Sequence, residues 1–226
     1  MNLLCGAMGV IFAFNGSLDI AFYLMLAGAV CDFCDGLSAR LLKAYSPMGK
    51  ELDSLADLIT FGLLPSIMMH RRLLEGGVTG FWAYVPLIIV VFSALRLAKF
   101  NIDDRQGENF LGLPTPACAM WCGSLIYAAD HGVMSMANLL HDTHLILISS
   151  VILAFLLVSE IPMFSFKFQK GSASNRLRMY FMVIVAAFAV ATFILKINWS
   201  YIILLTFTVY IFLNILTALL SPRKTE

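Results

Sequence analysis

Apolar runs alternate with short polar stretches along the whole chain. The runs fall at about residues 2–14, 18–42, 49–69, 80–100, 113–129, 143–158, 178–195 and 199–220. A helix needs about 20 residues to cross a bilayer core, and lipid offers the backbone no outside hydrogen-bond partner. The pattern therefore predicts an all-α, polytopic transmembrane helical bundle of about eight spans, as one membrane-embedded domain over residues 1–226. The first run has no basic residue before it and no small-residue cleavage site, so a retained helix is expected rather than a cleaved leader. The polar stretch 159–177 is the longest interruption, and its Phe164-Ser-Phe166-Lys-Phe168 pattern suits a loop at headgroup level.

Composition strengthens this picture. The 226 residues are 60% hydrophobic and 13% charged, with mean hydropathy +0.87. Soluble domains carry about a quarter charged residues, so too little polar surface is present to cover a globule in water. The net charge of +1 is uninformative, but the placement of the basic residues is not. With the N-terminus in the cytoplasm, eight spans put Arg40, Lys43, Lys50, Arg96, Lys99, Arg105, Lys167, Lys170, Arg176, Arg178, Arg223 and Lys224 on the inner side. Only Arg71, Arg72 and Lys196 fall outside, a split of 12 against 3. Both termini are thus expected in the cytoplasm. No nucleic-acid partner is expected.

Charge at membrane depth is costly and marks function by default. Asp32 and Asp35 lie three apart near the cytoplasmic end of the second run, on one helix face, with Arg40 two turns from Asp32. Gly49, Asp53 and Asp57 recur every four residues, one stripe along the start of the third run. The short connection around Tyr45-Ser46-Pro47 makes these helices antiparallel neighbours, so the stripes face each other. Four converging carboxylates do not all stay ionised without cations. Oxygen-only donors suit Mg²⁺ or Mn²⁺, and two such ions would clamp the oxygens of a phosphoryl transfer. Small residues at Gly36, Ala39 and Gly49 leave room for a bulky ligand against the helix backbones.

The run Asp32-x2-Asp35-Gly36-x2-Ala39-Arg40-x8-Gly49-x3-Asp53-x3-Asp57 resembles the signature of the CDP-alcohol phosphatidyltransferase family at every fixed position. Glu51-Leu-Asp-Ser-Leu-Ala-Asp-Leu-Ile-Thr-Phe-Gly62 is similar to the family's serine-using branch. So are Asn2-Leu-Leu-Cys-Gly6, Ala94-Leu-Arg-Leu-Ala-Lys-Phe-Asn101, Leu111-Gly-Leu-Pro-Thr-Pro-Ala117 and Val158-Ser-Glu-Ile-Pro-Met-Phe-Ser-Phe-Lys167. The resemblance implies CDP-diacylglycerol and L-serine as substrates, with phosphatidylserine and CMP as products. It implies that Asp32, Asp35, Asp53 and Asp57 hold the metals and that Asp57 is the general base. Gly36, Ala39, Arg40 and Gly49 would border the CMP moiety. It also implies a homodimer among membrane lipids, in a bacterial cytoplasmic membrane, with the active site facing the cytoplasm.

The acceptor carboxylate needs a cation. Arg96 and Lys99, with Asn101 nearby, are the candidates, although positive-inside placement alone also accounts for them. Two alternatives stay open: the same transfer to glycerol 3-phosphate, inositol phosphate or choline, and a cation or proton transporter built on intramembrane aspartates. A transporter's acids tend towards mid-membrane on broken helices, whereas these lie near one end. Cys31-x2-Cys34 has no second pair at zinc spacing, and the five cysteines sit in apolar stretches without a disulfide framework. His141 and His144 flank Asp142 in a predicted outer loop, across the membrane from the aspartates. The sequons at Asn15 and Asn198 are too short a pattern to carry a role.

Overall fold

The computed structural model describes residues 1–43, 46–102, 110–131, 142–163, 174–194, 196 and 198–220. Nearly all of them are helical. Helix α1 (Asn2–Phe14) turns through Gly16 into α2 (Leu18–Leu41). Helix α3 (Pro47–Asp57) runs through a π-helical turn (Leu58–Leu63) into α4 (Leu64–Glu75). A 3₁₀ segment (Gly80–Leu87) leads into α5 (Ile88–Ile102). There follow β1 (Phe110–Leu111), α6 (Thr115–His131), α7 (Thr143–Val158), β2 (Pro162–Met163), α8 (Ser174–Ile194) and α9 (Ser200–Leu220).

Local chemistry explains the boundaries. Ser46 caps α3, its Oγ accepting from the Gly49 N–H at 3.0 Å, and Pro47 supplies a preset first turn. Asp142 caps α7 by accepting from the His144 N–H at 2.9 Å, an ordinary structural use of the polar group next to His144. His141 lies outside the described residues. Pro86 interrupts the ladder of the fourth rod, and the segment before α5 winds as 3₁₀.

Among the described residues, four rods are long and apolar enough to cross a membrane: Leu18–Leu41, Pro47–Glu75, Gly80–Ile102 and Ser200–Leu220. Asn2–Phe14, Thr143–Val158 and Phe181–Ile194 are shorter apolar helices. Helix α6 is the axis of the fold, buried from Thr115 to Ala129 save at Pro116 and Trp121, and packed against α2, α4 and α9. Phe22, Met25, Phe61, Leu64, Met68, Leu125 and Ile126 form the centre of the core. Large apolar side chains such as Val30, Phe33, Phe155 and Phe193 point outward. Water would oppose that surface, whereas lipid accepts it.

The third rod runs to Glu75, past the expected end near residue 69. Its late arginines do not stop it because they are paired. Arg72 bonds to Asp130 of α6 and lies 3.7 Å from Glu75, while Arg71 lies 2.9 Å from Glu75. The predicted loop 159–177 contributes one strand, Pro162–Met163, to a two-residue antiparallel ladder, Phe110 opposite Met163 and Leu111 opposite Pro162, and its last residues already belong to the helix Ser174–Ile194. Its Phe164–Phe168 pattern lies outside the described residues, as do Ala44 and Tyr45, Arg105, Lys167, Lys170, Arg223 and Lys224. The side chains of Arg176 and Arg178 also lie outside them.

Candidate active site

The two aspartate stripes do meet. Helix α2 presents Asp32 and Asp35, and α3 presents Asp53 and Asp57. Carboxylate oxygens of Asp32, Asp53 and Asp57 lie within 4.8 Å of one another. Two unit charges that close repel by about 3–4 kcal/mol at an effective dielectric of about 20, and solvent at the exposed Asp53 lessens its share. No basic side chain is hydrogen-bonded or ion-paired to these three among the described residues. The donor set is all hard oxygen, with Asp32 and Asp57 half-buried and Asp53 exposed, and it fits Mg²⁺ or Mn²⁺ better than zinc or copper.

Beside the trio opens a cavity of about 600 Å³ lined by Asp35, Gly36, Ala39, Arg40, Gly49 and Asp53, among others. A Cβ placed on Gly36 would meet nothing within 4 Å, so this glycine faces open space rather than protein. Asp35 is exposed and lines this cavity, one helical turn beyond Asp32. The structure thus gathers eight sequence-predicted positions into two adjoining places. Asp32, Asp53 and Asp57 form the acidic corner, and the rest border the cavity, with Asp53 shared.

Two side chains that sequence reasoning gave no role close the site from behind. Asn2, 3% exposed, donates from Nδ2 to Asp57 Oδ1 at 3.0 Å. Thr60, fully buried in the π-helical turn, donates from Oγ1 to the Asn2 carbonyl at 3.1 Å. A Cβ on Gly6 would come within 2.9 Å of Thr60 Cα, and one on Gly28 within 2.6 Å of Thr60 Cγ2. Glycine at both positions is what lets α1 and α2 close on the turn. The available signal was a polar residue heading an apolar run, and a threonine three positions after Asp57 on the same face.

The three acceptor candidates separate. Arg96 is 7% exposed, donates to Thr115 Oγ1 of α6 at 3.0 Å, and lies over the Phe100 ring. Its Nε has no hydrogen-bond partner among the described residues. Lys99 reaches Glu160 at 3.5 Å. Asn101 ties the end of α5 to α3, donating to Ser54 Oγ at 3.0 Å and accepting at its carbonyl from Lys50 Nζ at 2.9 Å.

Comparison with known proteins matches residues 1–156 to the family described as CDP-alcohol phosphatidyltransferase. The chain belongs to that family. Among its relatives is the CDP-diacylglycerol–serine O-phosphatidyltransferase of Bacillus subtilis, 31% identical over 174 residues, 77% of this chain and 90% of the relative. The protein of that name from Mycobacterium leprae is 32% identical over 218 residues, 93% of this chain and 70% of the relative. The archaetidylserine synthase of Methanothermobacter thermautotrophicus is 30% identical over 157 residues, 67% of this chain and 65% of the relative. The matched segment contains the whole acidic corner and the cavity, so the phosphatidyltransferase family and the geometry meet at the same residues.

Proposed function

We propose that this phosphatidyltransferase moves the phosphatidyl group of CDP-diacylglycerol to the hydroxyl of L-serine, giving phosphatidylserine and CMP. The observation that carries the reading is the acidic corner of Asp32, Asp53 and Asp57 opening onto a cavity with Gly36 facing open space. The serine-specific names of the bacterial and archaeal relatives support the acceptor.

Asp32, Asp53 and Asp57, with Asp35 at the cavity wall, would hold two Mg²⁺ or Mn²⁺ ions. Such ions neutralise charge on the diphosphate and on the leaving phosphate. Gly36, Ala39 and Gly49 give the nucleotide close access to the backbone, and Arg40 offers its guanidinium to phosphate. Asp57 takes the proton from the serine hydroxyl. The new bond joins serine Oγ to the phosphorus bearing diacylglycerol, and the bond from that phosphorus to the CMP oxygen breaks. Arg96, buried and with its Nε unpartnered among the described residues, receives the serine carboxylate, with Lys99 and Asn101 at the rim.

The remaining reading places the whole chain, 1–226, in a bacterial cytoplasmic membrane as one domain of eight spans. Both termini and the active site face the cytoplasm, and two copies pair. The basic residues near the site, Arg40, Lys43 and Lys50, support that orientation. The test is CMP release by purified protein in detergent with CDP-diacylglycerol and Mn²⁺, offering L-serine, glycerol 3-phosphate, inositol phosphate or choline. Serine-dependent release abolished by chelator is expected. Release with another acceptor alone overturns the serine assignment.

A further inference from the structure

We infer that Asn2 is a positioning residue for the reaction, holding the Asp57 carboxylate so that one oxygen is committed to the amide and the other faces Asp32 and Asp53. The inference rests on the reading of Asp57 as metal ligand and base. Asn2 begins α1, a helix that contributes no acid to the corner, and its side chain is almost wholly buried. Its Nδ2 donates to Asp57 Oδ1 at 3.0 Å. Its Oδ1 has no hydrogen-bond partner among the described residues.

That unsatisfied oxygen is informative. Turning the amide over would set Oδ1 against the carboxylate, acceptor against acceptor, and lose the one bond the group makes among the described residues. Leaving Oδ1 unpartnered against Gly28 is the lesser cost, so the amide is held for its donor. The backbone of Asn2 is fixed too, since Thr60 Oγ1 donates to its carbonyl at 3.1 Å. Asp57 and Thr60 lie one turn apart on the same rod, so that rod both presents the carboxylate and fixes the residue that orients it. Close approach at Gly6 and Gly28 locks α1 and α2 around Thr60. An orienting donor behind a metal-binding carboxylate typically contributes 10–100-fold in affinity or activity.

The test compares wild type with Asn2→Leu, Asn2→Asp and Thr60→Val, all purified as the full chain in detergent. Free Mn²⁺ is read by electron paramagnetic resonance, alongside kcat, KM and the thermal midpoint. Asn2→Leu keeps the branched outline, at greater bulk, and loses the donor. It is expected to weaken Mn²⁺ binding and to lower kcat about 10–100-fold, with KM for CDP-diacylglycerol unchanged. Asn2→Asp replaces the donor by an acceptor and should also lower kcat, while adding a carboxylate keeps Mn²⁺ binding from falling. Thr60→Val loosens Asn2 only indirectly and should show the Asn2→Leu effects more weakly. A folded Asn2→Leu protein with wild-type Mn²⁺ affinity and kcat overturns the inference, as does one changed only in thermal midpoint. Wild type without serine-dependent CMP release would instead sink the functional reading, and the Mn²⁺ affinities would still decide the role of Asn2.

Discussion

Arg96 on α5 and Thr115 on α6 are joined by a 3.0 Å hydrogen bond, with both side chains buried. The bond aims a guanidinium along the helix interface and leaves its Nε free of partners among the described residues. A buried cation so held costs free energy unless a ligand or a carboxylate shares its charge. Arg96→Lys keeps the charge but not the planar fork. It should raise the KM for serine by about 10–100-fold, the scale of losing one or two charge-assisted bonds, with the KM for CDP-diacylglycerol unmoved. Equal effects on both KM values would remove Arg96 from the acceptor pocket.

Asp57→Asn preserves shape and removes both the negative charge and the proton acceptor. CMP release should fall by about 10²–10⁴-fold, the usual span for a lost general base, and Mn²⁺ binding should weaken. The two readouts come from one purified sample by a nucleotidase-coupled CMP assay and metal titration. Retained turnover in the variant would place the base elsewhere.

Gly36 and Gly6 make opposite predictions for the same change. Gly36→Val adds bulk to open space, so the melting midpoint should hold while the KM for CDP-diacylglycerol rises at least tenfold, about 1.4 kcal/mol. Gly6→Val drives a side chain into Thr60 and should destabilise by about 1–3 kcal/mol. Thermal melting beside kinetics separates the two. If Gly36→Val melts early and binds substrate normally, the cavity is not the nucleotide site.

Arg72 and Asp130 form an ion pair between α4 and α6, with the Arg72 side chain only 10% exposed. Removing the cation in Arg72→Met takes this partner from Asp130, which is 30% exposed and so partly rehydrated. A loss of about 2–3 kcal/mol is expected, below the 3–5 typical of a fully buried pair. The double variant with Asp130→Asn should recover part of it, while kcat stays as in wild type. A purely additive double-mutant cycle would show that the pair contributes nothing.

Much of this site was legible because helices translate spacing into faces. The four-residue interval of Gly49, Asp53 and Asp57 and the three-residue interval of Asp32 and Asp35 fix which side chains share a side. A short connection then makes the two sides meet. What spacing cannot carry is contact between distant elements. Asn2 is 55 residues from Asp57, and no periodicity relates them. Arg72 read as an outer-loop charge because its partner, Asp130, lies 58 residues away. The π-helical turn and the two-residue ladder were equally hidden, being set by packing across helices rather than by the residues that form them. Asp35 met its stripe but not the corner, because one further turn of α2 carries it to the cavity wall.

The π-helical turn at Leu58–Leu63 has a consequence for insertions and deletions. A π turn accommodates one residue more than the α-helical path would, and one residue in an α-helix is about 100° of rotation. Because the wide turn takes up that residue locally, removing one residue there would let the stretch wind as plain α-helix with the two ends of the rod little rotated. A one-residue deletion early in the α-helical stretch Leu64–Glu75 would instead turn Arg72 by about 100° against the aspartates upstream. The phase between the Arg72 pairing and the acidic corner is therefore buffered against a change of length at the turn, and what a deletion there would lose is the seat of Thr60 beside Gly6 and Gly28.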